Sequence, residues 1–336
     1  MKTARPFFLW GMLILAGALP SCVSGNGDIV SRVLGIAEPP EFVAAKAVSE
    51  TEVEFRFSKP VSLGSLHFSQ QLVAEEIGEG STVRVSFSGS PGPGEKVTAD
   101  LVAVDGKGNT LNVVVAFRTR NERIPPLRIN EVRTEYTKPK AEFVELRTFG
   151  AGNLGAVRLF IASHSTERPA YEFPPVEVKN REYVTVHLRK VEEANIDELG
   201  SNLAESGGAN ASPSGRDLWV PGTGKLVRKT DIIWLVDQDD RVLDALVLSE
   251  SADPVWSKGH FADAAGFLFR AGAWKSGDGI GIRPSDAVQS STTTATRTIN
   301  RDESRNDNSR SPSDWYITVS SGATPGRQNN PGRYSN

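Results

Sequence analysis

Apolar and polar side chains alternate in short runs along most of this chain. Val53-Glu54-Phe55-Arg56-Phe57 sets three apolar groups on one face and two charges on the other, the period-two pattern of a half-buried strand. The same pattern recurs at Val83 to Phe87 and Leu111 to Phe117, with turns at residues 90–94 and 105–109 whose Gly steps supply the positive φ that tight hairpins need. After Ile124-Pro125-Pro126, where consecutive prolines disfavour both helix and ladder, a second series begins. It runs through Leu127 to Val132, Ala141 to Leu146, Asp231 to Asp237 and Val242 to Val247. Helical periodicity is almost absent, and Gly, Pro, Ser and Asn punctuate the strands at the spacing of β-sandwiches. The pattern therefore predicts an all-β chain, and its 336 residues suggest two sandwiches in tandem. These are placed at 37–120 and 127–330, with a linker at 121–126 and a tail at 331–336.

The residues carry two resemblances. Glu52 to Val61 reads Glu-Val-Glu-Phe-Arg-Phe-Ser-Lys-Pro-Val and Asp105 to Asn109 closes a hairpin; over 37–120 this resembles the bacterial Ig-like domains of surface proteins, which implies a spacer or binding module. Ile129-Asn130-Glu131-Val132 followed by Glu142-Phe143-Val144-Glu145-Leu146, then Asp231 to Asp237, Val242 to Val247, Asp314-Trp315-Tyr316 and Thr324-Pro325-Gly326 resembles the lamin-tail domain in motif and order. That likeness implies an Ig-like sandwich, and the span is long enough to require insertions near 190–215 and 249–300. The first opens with Glu192 to Leu199, expected to make a helical turn or two, then becomes too polar at Ser206 to Asn210 to fold alone. The second carries Trp256, Phe261, Phe267, Phe269 and Trp274 and is expected to pack back on the sandwich, where it would offer any contact surface.

The N-terminus adds an address. Lys2 and Arg5, an apolar run from Phe7 to Leu19 and the small Ser21 follow the order of a secretory signal. The run is shorter than the about 20 residues a spanning helix needs. Cys22 is the only cysteine in the chain, and Leu19-Pro20-Ser21-Cys22 resembles the lipobox of bacterial lipoproteins of spirochaete type, with Pro20 where that box usually carries Ala or Ser. The resemblance implies a signal peptide at 1–21, lipid (a palmitate-type acyl group) on Cys22, a flexible tether at 22–36 and anchoring in the bacterial envelope, at the outer membrane rather than the inner. Cleavage by an ordinary signal peptidase, with Cys22 incidental, is the alternative, and either route exports the chain. With one cysteine the domains hold no internal disulfide, so packing must stabilise them.

Charge narrows the partners. The chain has a formal charge of −3, and removal of residues 1–21 takes away Lys2 and Arg5 to leave −5, a balance that offers no field for nucleic acid. Gly150-Ala151-Gly152-Asn153-Leu154-Gly155 spells a dinucleotide fingerprint, with Glu172 at the spacing of its acidic residue. That reading requires a helix after the last glycine, and Ala156 to Ile161 alternates as a strand instead. Gly222-Thr223-Gly224-Lys225 lacks the upstream Gly and the Ser or Thr of a phosphate loop. His67, His164, His187 and His260 are scattered without zinc spacing. Asp237, Asp239 and Asp240 gather three carboxylates in one turn and are the weak candidates for calcium, but the loop lacks the sixth-position Gly and the distant Glu of an EF-hand, which favours a solvated hairpin tip. With no catalytic constellation and no cofactor expected, the sequence points to a non-enzymatic, lipid-anchored module. Its partners would be the membrane, through Cys22, and another envelope or host protein. The alternatives are an accessory to a secreted nuclease or hydrolase, or a calcium- or carbohydrate-dependent adhesin.

Overall fold

A computed structural model describes residues 38–89, 91–305 and 308–335; the signal segment, Cys22 and the tether lie outside the described residues. Among these the chain is all-β save for one α-helix and two short 3-10 turns. Two separate apolar clusters form, one between Ala47 and Phe117 and one between Leu127 and Trp315.

The first cluster is built from β1 (Phe42–Ser49), β2 (Glu52–Phe68), β3 (Val73–Ile77), β4 (Gly80–Ser88), β5 (Lys96–Asp105) and β6 (Thr110–Arg118). All pairings are antiparallel, in the order β3-β4-β2-β5-β6 with β1 also on β2. The long β2 serves both layers: Glu52 to Arg56 pairs with β4, whereas Val61 to Phe68 pairs with β5. The register breaks between Arg56 and Val61, across Pro60, which has no N–H to give a ladder. Val53 and Phe55 are fully buried, as are Val83 and Val85, so the alternation seen in the sequence is the inward face. The β5–β6 turn is held by Asp105, whose Oδ1 accepts the amides of Lys107 and Asn109 at 2.9 Å each.

The second cluster lies between two sheets. One runs β11 (Tyr171–Glu172), β10 (Arg158–Ile161), β15 (Asp231–Val236), β16 (Val242–Ser249), β17 (Val288–Gln289). The other runs β14 (Arg216–Trp219), β13 (Tyr183–His187), β8 (Phe143–Thr148), β7 (Leu127–Arg133), β18 (Ile299–Arg301), β19 (Trp315–Ile317). β9 (Gly152–Asn153) and β12 (Glu177–Val178) pair apart from both. The span expected as a second insertion thus returns two strands, β17 and β18, to the sheets.

The six-stranded sheet buries both faces, and its outer face is polar. A register shift between Ile129 and Glu131 is a bulge at Asn130 that reverses which face the following residues take. Ile129, Val132, Val144 and Leu146 point into the core, while Glu131 sits opposite Glu145 on the other side. Both are fully buried, with Thr185, His187, Asp217 and Asn300. Two segments roof this face. Thr324 and Gly326 donate their amides to Glu131 and Glu145 at 3.0 and 2.5 Å. On the other flank, the 190–215 segment is ordered by polar contacts rather than by the expected helical turn, for residues 192–199 form no helix. Glu198 accepts the amides of Asp217 and Ser206, Asn195 accepts those of Val191 and Glu192, and the Trp219 indole donates to Ser206 at 2.9 Å. Polar composition did not prevent order, because the sheet beneath supplies partners that an isolated loop lacks.

Residues 259–270 form a helix, α1 (Gly259–Arg270), which the alternation-based reading did not predict. Phe261, Ala264, Ala265 and Leu268 are its buried positions, the spacing of one helical face. It lies on the outer side of β15 and β16, where Phe267 tilts against Trp234 at 6.1 Å, and it ends at Gly272 with φ +61°, the usual left-handed stop. The second segment therefore packs on the sandwich as expected, but as a helix.

The sheets are joined across one edge by a buried ion pair. Asp244 accepts the Ile129 amide at 2.8 Å and Arg301 Nη2 at 2.5 Å, while Arg301 Nε donates to the Ile129 carbonyl at 2.7 Å. Removing one partner of such a pair strands the other charge in low dielectric. Asp244→Ala is expected to cost the second domain about 3–5 kcal/mol, measured by urea unfolding, without moving the transition of the first domain. A loss below about 1 kcal/mol would show that the pair is solvated or redundant.

Candidate functional site

The turn between β15 and β16 carries the three candidate carboxylates, and the structure sends them in different directions. Asp237 Oδ1 accepts the amides of Asp239 and Arg241 at 2.8 and 3.0 Å, which folds the turn around its own side chain, and Asp240 takes a left-handed φ of +63°. Asp239 then faces the first domain, where Arg120 grips it through Nη1 at 3.3 Å and Nη2 at 2.7 Å and Lys46 stands at 3.5 Å. Asp240 turns the opposite way to Arg158 Nη2 at 2.9 Å. No group of three His, Cys, Asp or Glu is arranged to hold a metal ion among the described residues.

This turn is the middle of the domain junction. Beside Asp239, Gln238 accepts the Asn121 amide at 3.1 Å. Asn121, only 4% exposed, sends its side-chain N–H groups to the carbonyls of Asn153 and Gly155 at 2.9 and 2.8 Å and accepts the Arg123 amide at 3.0 Å. Within 121–126, the span expected as a linker, Asn121 and Arg123 thus bond to the second domain. Further out, Arg118 pairs with Glu172 at 2.5 Å and Arg123 with Glu177 at 2.7 Å. The Gly-rich turn closes the seam: a Cβ on Gly94 would strike the Gly155 backbone, and one on Gly155 would strike the Pro93 carbonyl. The dinucleotide-like spelling at 150–155 is thus a close-approach surface for the first domain, and the strand β10, not a helix, follows it.

Two hollows flank the turn. One, of about 250 Å³, lies in the junction and is lined by residues of both domains, including Lys46, Arg118, Arg120, Arg158 and Asp239. The other, of about 480 Å³, opens between α1 and the outer face of β10 and β15. Its wall is the Phe160–Trp234 pair, stacked at 5.1 Å and 10°, with Glu167, Asp240 and Asp263 around it. Arg158 lines both hollows.

Electrostatics separates this exposed site from the buried face of the sheet. The hydrogen bond from Arg120, with Lys46 adding, holds the Asp239 carboxyl below its ordinary range. Burial, and then the neighbouring Glu131, push Glu145 well above the usual glutamate value, and burial raises Glu131 as well. Burial lowers His187 against the opposing effect of its 2.7 Å contact with Asp217. Its ring is stacked on Trp219 at 3.8 Å with Phe143 on its edge, a sealed packing position rather than an accessible base.

Fold and site define a two-domain β-sandwich protein whose contact chemistry is concentrated at the seam between the domains. The chain belongs to the family described as TP_1001_2nd, protein second domain, whose model matches residues 125–317. An uncharacterized protein of Treponema pallidum (strain Nichols) is 32% identical over 143 residues, covering 41% of this chain and 36% of that protein. The chain thus matches about a third of that relative's length. Among solved structures, the N-terminal part of the bacterial S-layer protein SbsC aligns over 66% of this chain and 46% of its own, at 11% identity and a TM-score of 0.25, which says nothing about function.

The Arg120–Asp239 pair is partly solvated, with side chains 27% and 21% exposed, so Asp239→Asn is expected to cost about 1 kcal/mol at neutral pH. Because the folded carboxyl titrates below its unfolded value of about 3.9, the contribution is present above that value and is lost as pH falls through the lowered one. Urea titrations of wild type and variant should differ by a constant amount at neutral pH and converge in acid. A gap that persists in acid would assign the effect to packing.

Proposed function

We propose that this chain is a non-enzymatic, lipid-anchored envelope protein, held at the outer membrane through lipid on Cys22 and working as a structural or protein-binding module. The observation that carries the reading is the seam: hydrogen bonds, ion pairs and glycine close approach join the two sandwiches, as befits a spacer that must present one surface at a set angle. The position of Cys22 behind an apolar run supports the anchor, and the partner is another envelope or host protein. The second domain is a lamin-tail-like sandwich on this reading. The motifs at Glu131, Glu145 and Thr324 to Gly326 support it, since they meet in one contact.

A carbohydrate ligand is the second reading. It is favoured by the outer cleft, where an aromatic wall stands beside a few polar groups, the usual make-up of a small-ligand site.

Metabolic labelling with a clickable fatty acid tests the anchor. Wild-type chain is expected to label and Cys22→Ser to lose the label and leave the membrane fraction; an unlabelled wild type would remove the anchor. Protease treatment of intact cells then reports the face, with cleavage expected for a module that meets host proteins and protection for a periplasmic one.

A further inference from the structure

The junction hollow has an unusual charge inventory for an acidic chain. Four cations surround it, Lys46, Arg118 and Arg120 from the first domain and Arg158 from the second. Three carboxylates pair with them directly, Glu172 with Arg118, Asp240 with Arg158 and Asp239 with Arg120, and Glu122 and Asp237 add their fields at Arg120. Lys46 has only a share of Asp239, at 3.5 Å, which Arg120 already grips with two nitrogens. Its side chain is 62% exposed, so the ammonium is free to turn toward a ligand. Donors remain on the guanidinium groups as well. Arg118 uses Nε for Glu172 and Nη1 for the Gly94 carbonyl at 3.0 Å, and Arg120 uses its two Nη atoms. Arg118 Nη2 and Arg120 Nε take no part in these bonds. The small side chains of Ala45, Ala47 and Ala156 line the same hollow and leave it open at about 250 Å³.

We propose that this hollow is a binding site for a small oxyanion of the phosphate or sulfate type, clasped by cations of both domains. The inference goes beyond the anchored-module reading and does not depend on it. The remaining N–H groups of Arg118 Nη2 and Arg120 Nε can donate charge-assisted hydrogen bonds to the oxygens of such an anion, and the ammonium of Lys46 adds a point charge. Three of the cations are held in place by carboxylates, so the ligand does not have to order them. Because the donors come from both sides of the seam, a bound anion ties the domains together and stabilises the folded junction by mass action.

Calorimetric titration of the mature chain with inorganic phosphate, at an ionic strength held constant with sodium chloride, is the test. Saturable one-to-one binding is expected, with sulfate competing. Lys46→Glu should weaken it by about tenfold or more through loss of a charge-assisted contact and gain of repulsion, with a cooperative unfolding transition retained in phosphate-free buffer to show that the variant is folded, whereas Lys46→Arg should retain binding. Amide chemical-shift changes should centre on residues 45–47, 118–120 and 156–158. No heat beyond that of chloride, equal binding by Lys46→Glu, or shifts centred elsewhere would each overturn the site.

Discussion

Asn121 donates to the carbonyls of Asn153 and Gly155 from a position almost closed to solvent, while its neighbour Arg120 holds Asp239 through two nitrogens. These bonds span the seam between two separate apolar clusters, neither of which supplies a shared core. The relative placement of the domains therefore rests on directional polar contacts and on backbone close approach at Gly94 and Gly155. Such contacts fix geometry more than they add stability. The junction hollow, lined by residues of both domains, takes its shape from that placement.

Within the second domain a related constraint operates in the interior. A sheet that carries Glu131, Glu145, His187 and Asp217 on one face must cover and satisfy them, since a buried carboxylate without donors is costly. The cover is the chain itself. The amides of Thr324 and Gly326 and the hydroxyl of Thr298 reach the two glutamates, and the 190–215 segment does the same for Asp217 through Ser212. Polar partners thus organise segments that contribute few apolar groups to the core.

The strands were legible because period-two alternation reports directly which side chains face a core, as Val53, Phe55 and Phe57 show. The helix α1 was not, because Phe261, Ala264, Ala265 and Leu268 carry only one face's worth of signal within an aromatic-rich stretch. Its 3.6-residue spacing was nevertheless present and could have been found. The pairing of Glu131 with Glu145 was half visible: the motifs marked the residues, but the bulge that turns both to the same buried face appears only when register is known. The role of Asp239 was hidden for a different reason. Its partners Arg120 and Lys46 lie 119 and 193 positions away in sequence, and nothing local distinguishes an interdomain carboxylate from a solvated turn or a calcium ligand. Gly150 to Gly155 illustrates the same limit, since glycine permits close approach without saying to what.

The fixed placement of the two sandwiches depends on the rigidity of the seam. Spin labels at Lys107→Cys and Glu250→Cys, in a Cys22→Ser background, place one probe on an exposed turn of the first domain and one past the end of β16 in the second. A pulsed dipolar measurement is expected to return a single narrow distance distribution that broadens when Asn121→Ala and Asp239→Asn are combined. A broad distribution in the otherwise unaltered chain would contradict it, for the two sandwiches would then be joined by a hinge.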